Sequence, residues 1–172
     1  MKQMMIEKSN AQAQQSDREE RVVIRRAGAH DAPAIKGLYR QLVSDSNVRV
    51  DSAQVATLAA SSTSFLLVAE VDGVTCATAL LTLCADVMYR TQPFGVVENV
   101  IVAESMRGRG IGRDLLARVE QLAVTHDCTK LMLLSSVARS DAHAFFRRCG
   151  FVGDTKQAFV KYRRNFAVEC QP

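Results

Sequence analysis

Apolar and polar positions recur along this chain at two spacings, which predict helices and strands. Ile35, Leu38 and Leu42 recur every three or four residues, which is typical of a helix with one apolar face. Short runs of β-branched and other apolar residues predict strands, and Asp72-Gly73 between two of them indicates a hairpin turn. The predicted elements, in order, are a strand at 21–26, helices at 31–43 and 51–60, strands at 65–71, 74–83 and 94–102, a helix at 112–126, a buried strand at 130–134, a helix at 140–148, and short strands at 151–152 and 158–162.

This order predicts an α/β protein with a mixed sheet, because the strands and helices do not alternate strictly. Residues 1–20 are rich in Gln, Ser, Lys and Glu and show no periodicity, so we expect a disordered tail there. Residues 21–172 are predicted to form a single domain, since 48% of the chain is hydrophobic and it is long enough for one core.

The turn after the strand at 94–102 carries most of the chemical information. Three glycines and three arginines lie in or beside it: Arg107, Gly108, Arg109, Gly110, Gly112 and Arg113. A glycine turn between a strand and a helix directs several backbone N–H groups at one point, which suits a phosphate group. The sequence therefore predicts a phosphate-binding turn.

Two common phosphate-binding designs do not fit this turn. A P-loop ends in Gly-Lys-Ser/Thr, which is absent here. A dinucleotide fingerprint has a third glycine where this chain has Arg113, and an acidic residue after the next strand, where this chain has Ser135 and Ser136.

Composition excludes several other classes of protein. The net charge of +4 is scattered, so we expect no nucleic-acid partner. The five cysteines lack the spacing of metal ligands, so no metal is expected. Their odd number and the lack of a secretory signal favour a reducing cytoplasm. We expect no membrane association, since no apolar stretch is long enough to span a bilayer.

A third phosphate-binding design fits, and it extends beyond the turn. Arg107-x-x-Gly110-x-Gly112 after Glu98-Asn99-Val100-Ile101-Val102 resembles the pyrophosphate loop and fourth strand of the GNAT superfamily of N-acetyltransferases. The segment from Arg139 to Phe151, in which a helix with an aromatic pair ends in Gly-Phe, is similar to the family's second cofactor motif. Arg25-Arg26-Ala27 followed by Asp31-Ala32-Pro33-Ala34-Ile35 matches the family's entry into its first helix.

The resemblance covers residues 21 to about 164 and implies a fold, a cofactor and an activity. The implied fold is a central, mostly antiparallel sheet with splayed fourth and fifth strands, flanked by helices. The implied cofactor is acetyl-CoA. The implied activity is N-acetyl transfer to a primary amine of a small molecule or a protein, by direct attack of the amine in a ternary complex. Homodimers are common in the family, so the resemblance also implies a candidate homodimer.

The resemblance further implies the residues that bind acetyl-CoA. Backbone groups of Val100, Ile101 and Val102 pair with the pantetheine arm, and a backbone N–H near Ile101 or Val102 stabilises the oxyanion. Backbone N–H groups from Arg107 to Gly112, the Arg107 and Arg109 side chains and the adjacent Arg113 hold the phosphates. The remaining predicted contacts lie in the second motif and are Arg139, His143 and Phe146.

The chain departs from the family pattern at Phe146. Relatives often carry a tyrosine there, which protonates the departing thiolate, and phenylalanine has no proton to give. Tyr39, Tyr89 and Tyr162 are alternative donors. The departure also favours a second interpretation, a non-catalytic acyl-CoA-binding or regulatory module of the same fold.

Glu98 is the candidate general base, acting directly or through water, because an amine attacks only when neutral. A carboxylate among Val96, Val97 and Val100 is unusual, although it could equally bind neighbouring loops only. Strand alternation predicts that Glu98, Val100 and Val102 share one face.

Overall fold

The computed structural model describes residues 21–43 and 45–166, and the predicted tail at 1–20 lies outside them. These residues contain five strands and four α-helices, in the order β1, α1, α2, β2, β3, β4, α3, β5, α4. Their bounds are Val22–Arg26, Ala32–Leu42, Ser52–Ala60, Ser64–Val71, Val74–Cys84, Phe94–Val102, Ile111–Thr125, Leu131–Leu133 and Ser140–Arg148. The elements predicted from the pattern of apolar residues are confirmed as far as residue 148.

The strands form one sheet in the order β1-β2-β3-β4-β5, and the first four are antiparallel to their neighbours. The hairpin between β2 and β3 turns at Asp72 and Gly73, which both have positive φ, at 50° and 79°. Parallel β4 and β5 are joined near their first residues, where Gly95 N donates to Lys130 O at 2.9 Å and Thr129 N to Pro93 O at 2.8 Å. The predicted fold class, a mixed sheet flanked by helices, is confirmed.

A β-bulge interrupts β4. Thr78 pairs with Ile101 and Leu80 pairs with Glu98, so Asn99 and Val100 together stand opposite a single residue of β3. Asn99 has a φ of 56°, in the left-handed region that Asn adopts more readily than most residues. A bulge of this kind bends the strand and increases its twist.

The chain divides into two compact units, which meet between Leu131 and Met132. In the first unit, α1 and α2 cover one face of the sheet. Their shared cluster consists of Ala27, Ala32, Ile35, Val55, Leu66 and Val68, all buried. Helix α3 contacts β1 to β4 and buries Leu115 and Val119 on the other face.

The second unit contains the end of β5, α4 and the C-terminal segment. Gly150, with a φ of 88°, ends α4 as predicted, and Phe151 N donates to Phe146 O at 3.1 Å. Arg139 is at the N-cap of α4 and makes no side-chain cap hydrogen bond. The expectation of a single domain over 21–172 stays a prediction.

Three predictions about strands are corrected. Residues 151–152 and 158–162 form no strand, and Phe159 in the second segment is 87% exposed. A short apolar run becomes a strand only when another strand accepts its hydrogen bonds, and no such partner exists among residues 21–43 and 45–166. Strand β5 was predicted to be buried, yet Met132 is 41% exposed.

Candidate functional site

The end of β4 offers main-chain groups that β3 does not use. Ala103 N donates to Cys76 O at 2.7 Å, which makes Val102 and Ala77 a pair without mutual hydrogen bonds. The N–H and C=O of Val102 therefore point away from β3, toward the other edge of β4. The next pair, Ile101 with Thr78, is by the same alternation a hydrogen-bonded one, so the Ile101 backbone groups face β3.

The bulge also changes which side chains share a face of β4. Glu98 and Ile101 pair with Leu80 and Thr78, which are two residues apart on β3 and lie on one face. The prediction that Glu98, Val100 and Val102 share a face is therefore wrong. One extra residue in the strand shifts the alternation, and Glu98, half-buried, shares its face with Ile101. This is the face that α1 and α2 cover, because Leu80 packs against their cluster.

The glycine turn begins with a short 3-10 helix at Glu104–Met106. Gly108 and Gly110 have φ values of 81° and 83°, which only glycine adopts readily. Gly110 is also the N-cap of α3 and carries no capping side chain. The buried Ile111 and Gly112 anchor the first turn of the helix against the first unit's core.

This geometry fits a phosphate group. The first N–H groups of a helix have no partner within the helix, and the macrodipole places partial positive charge beside them. A Cβ built on Gly108 or Gly110 would meet nothing within 4 Å, so the turn is open to an approaching ligand.

The arginines of the turn differ in their surroundings. Arg107 is exposed, and its Nε donates to Val102 O at 3.3 Å, so it lies over the end of β4. Arg109 lies close enough to Cys76 to lower the pKa of that thiol, although burial raises this pKa by more. Arg113 is exposed in the first turn of α3.

In the second unit, the predicted residues occupy one helix, α4. His143 Nε2 lies 2.9 Å from Ser136 O and donates to this carbonyl, while the exposed Arg139 is at the N-cap. Phe146 is 9% exposed and its ring contacts Phe145 and Phe151, with centroids 5.3 and 6.1 Å away. Phe146 is thus the centre of an aromatic trio, and His143 ties α4 to the segment before it.

Sequence reasoning missed one cluster on the face of β4 that Glu98 shares. The Asn99 and Thr78 side chains lie close enough to the Tyr39 hydroxyl on α1 to lower the pKa of this phenol, although burial raises that pKa by more. The sequence identifies Tyr39 as a candidate proton donor but does not predict where in the fold its side chain lies. An asparagine inside a β-branched strand was the one signal of the bulge that brings these groups together.

No three residues of the metal-binding types lie together among the described residues. None of the helices in that part of the chain is long and apolar enough to cross a membrane.

Three comparisons agree with this geometry. The model of the acetyltransferase (GNAT) family matches residues 35–151. An aminoglycoside N(6')-acetyltransferase type 1 of Stenotrophomonas maltophilia is 33% identical over 130 residues, which are 74% of this chain and 84% of that protein.

Solved structures share the fold. A proposed acetyltransferase from Agrobacterium tumefaciens str. C58 is 30% identical with a TM-score of 0.73. The match covers 81% of this chain and 99% of that one. An aminoglycoside N-acetyltransferase solved in complex with CoA is 20% identical with a TM-score of 0.72. The match covers 86% of this chain and 98% of that one. The chain belongs to the GNAT family, and it is therefore an N-acetyltransferase whose acetyl donor is acetyl-CoA.

Proposed function

We propose that this enzyme transfers the acetyl group directly to a primary amine while amine and acetyl-CoA are bound together. The observation that carries the proposal is the end of β4, where the Val102 main chain faces the edge beside β5 and leads into the open glycine turn. Acetyl-CoA, when bound, supplies a thioester that an amine can attack. The chain supplies the groups that hold it and the group that receives a proton.

The proposed contacts to the pantetheine arm are the main-chain groups of Val100 and Val102. Val100 lies in the bulge, outside the ladder of partners between β3 and β4, and Val102 points away from β3. Because the Ile101 backbone faces β3, we assign the oxyanion donor to Val102 rather than to Ile101.

The proposed phosphate contacts are the backbone N–H groups from Arg107 to Gly112 and the side chains of Arg107, Arg109 and Arg113. The positive φ of Gly108 and Gly110 and the uncapped α3 N-terminus support this assignment. Arg139, His143 and Phe146 remain proposed contacts of the second motif. Phe146 can pack beside the cofactor but cannot protonate a thiolate.

Glu98 is the proposed general base. It is half-buried on the face of β4 that α1 and α2 cover, whereas the glycine turn leads into α3 on the opposite face. A carboxylate on this face is placed to accept a proton from an amine that approaches from the side of α1, directly or through water.

The proposed acceptor is a primary amine of a small molecule, because the curated relative is an aminoglycoside N-acetyltransferase. A protein or peptide amine is the alternative. Three loop aspartates that could attract a cationic amine each bind a local backbone N–H: Asp45 binds Asn47 N, Asp51 binds Ala53 N, and Asp86 binds Val87 N. These carboxylates therefore stabilise turns and a helix cap. They give no special support for an acceptor with several positive charges, such as an aminoglycoside.

A thiol-release assay tests the function. Purified enzyme with acetyl-CoA is given a panel of amines: simple monoamines, aminoglycosides, and peptides with a free N-terminus or a lysine. We expect release of CoA above background with at least one small amine. Calorimetric titration with acetyl-CoA is the companion measurement. Binding without release for every amine would contradict the proposal and favour the non-catalytic acyl-CoA-binding module instead.

We also propose a homodimer in a reducing cytoplasm. Exposed apolar side chains follow α4, at Val152, Phe159, Val160, Tyr162 and Phe166, and four cysteines of the described chain are free thiols. Light scattering after size exclusion tests the dimer. Phe159→Asp should give monomers, while Val87→Asp, at a side chain 90% exposed on the β3–β4 loop, should leave the dimer intact. A wild-type monomer would contradict the proposal.

A further inference from the structure

A hydrogen bond links the glycine turn to α1. Gln41, in the last turn of α1, accepts at its side-chain Oε1 from Glu104 N at 3.1 Å. Glu104 is the first residue of the short 3-10 helix that begins the turn, and it lies 63 positions from Gln41 along the chain. The bond therefore joins a helix on the Glu98 face of the sheet to the segment that leads into α3.

The main chain leaves β3 at the point where this bond forms. Ala103 N donates to Cys76 O at 2.7 Å, one residue before Glu104. The first N–H groups of a helix have no partner within it, and Ala103, at the N-cap, makes no side-chain cap hydrogen bond. Gln41 supplies the acceptor for Glu104 N from a neighbouring element.

The two ends of this bond differ in how firmly the core holds them. Ile35 and Leu38 of α1 are 0% and 4% exposed, and α1 also contacts β4. The turn is exposed from Arg107 to Gly110. An exposed segment with few packed side chains depends on its hydrogen bonds for a fixed position. The bond from Glu104 to Gln41 consequently fixes where the turn begins.

We propose that Gln41 is a positioning residue for CoA: its side-chain oxygen holds the start of the turn and so sets where the backbone N–H groups from Arg107 to Gly112 meet the phosphates. The inference rests on the proposed phosphate contacts of this turn. In this role Gln41 touches neither the phosphates nor the reacting acetyl group. Loss of the bond should therefore weaken CoA binding and leave the chemical step unchanged.

Gln41→Met tests this role, because it removes the amide oxygen and keeps the length and helix propensity of the side chain. We expect a Kd for CoA about 3- to 10-fold weaker by calorimetric titration, the range that one hydrogen bond contributes. The kcat at saturating acetyl-CoA and the KM for the amine should stay within about twofold. Gln121→Met is the matched control and should leave the Kd unchanged, since Gln121 accepts from Arg118 at 3.2 Å within α3.

Two substitutions of Glu104 identify the donor. Glu104→Pro removes the N–H, and proline fits there because it is tolerated at the first helical position and Ala103 before it has an extended ψ of 137°. Glu104→Ala removes the same carboxylate but keeps the N–H. Gln41→Met should weaken CoA binding in the Glu104→Ala background as in the wild type, and should have no further effect in the Glu104→Pro background. Equal losses in the two backgrounds would overturn the inference.

Amide hydrogen exchange tests the link without CoA or turnover. The Glu104 N–H should exchange at least about 3-fold faster in Gln41→Met, while the Ala103 N–H, bound to Cys76 O, should exchange at its wild-type rate. If the wild type binds no CoA, the proposed function fails, and the exchange result still decides whether Gln41 holds the turn. An unchanged exchange rate at Glu104, or an unchanged Kd in an enzyme that binds CoA, would overturn the inference.

Discussion

Gly95 on β4 leaves the space that the side chain of Leu131 on β5 occupies: a Cβ on Gly95 would lie 2.5 Å from Leu131 Cδ2 and 3.0 Å from Leu81 Cδ1. This contact lies where β4 and β5 share hydrogen bonds. Gly95→Ala should lower the free energy of unfolding by about 1–3 kcal/mol, because a methyl group forced into a filled core displaces its neighbours. Urea denaturation measures the change.

Gly37→Ala is the control for that substitution. Gly37 lies inside α1, and a Cβ there would meet nothing within 4 Å. Alanine should stabilise the protein by about 1 kcal/mol, since glycine is the poorer helix former. Equal effects at the two positions would show that the Gly95 contact is not tight in solution.

Asp31 makes the stability of the first unit depend on pH in the acid range. Arg25 donates to both oxygens of this buried carboxylate, at 2.7 and 2.8 Å, and also binds Glu70, while Gly28 N donates to Asp31 at 2.7 Å. The guanidinium of Arg25 lowers the pKa of Asp31, and the hydrogen bond from Gly28 lowers it further. Since the pKa is lower in the folded state, this stabilisation is complete above about pH 4 and is lost as the pH falls through the folded value.

Asp31→Asn tests this dependence of stability on pH. At pH 7 the variant should be less stable than the wild type by about 1.5–3 kcal/mol, the value of hydrogen bonds to charged groups. The difference should shrink as the pH falls below about 4. A difference that stays constant between pH 7 and pH 3 in urea denaturation would contradict the assignment.

Structural features that depend on neighbouring residues along the chain were predicted correctly from the sequence. The bounds of β4 follow from a run of β-branched residues that favours a strand in any context, and those bounds are as predicted, Phe94–Val102. The glycine turn is also local, because its conformation depends on Gly108 and Gly110 themselves.

Features that depend on distant partners were not predicted. The bulge arises from the register of β4 against β3, which one extra residue changes, so the shared face of Glu98 and Ile101 could not be derived from alternation. An aspartate at the N-cap of a helix is typical of a capping residue, yet the Asp31 side chain binds Arg25 and Gly28 and makes no cap hydrogen bond to α1. The strand predicted at 158–162 lacks a partner strand, which no local pattern supplies.

Glu98→Gln tests the proposed base. The amide keeps the size of the side chain but accepts no proton at neutral pH, so kcat/KM should fall by about 10²–10⁴-fold. The limb of the pH–rate profile that reports deprotonation of the base should also disappear. Glu120→Gln, at an exposed carboxylate on α3, should leave both unchanged. An unaltered profile in Glu98→Gln would remove Glu98 as the base.

Gly110→Ala tests the phosphate-binding turn, and Gly73→Ala is its match. The two glycines have nearly the same φ, 83° and 79°, and a Cβ at either would meet nothing within 4 Å. Alanine therefore imposes the same backbone cost at both, roughly 1–2 kcal/mol, without a clash. Only Gly110 is the N-cap of the helix proposed to hold the pyrophosphate. Calorimetric titration with CoA should show at least about a 10-fold weaker Kd for Gly110→Ala, a change of about 1.4 kcal/mol, and an unchanged Kd for Gly73→Ala. Equal losses of affinity would mean that general destabilisation, rather than the conformation of this turn, governs CoA binding.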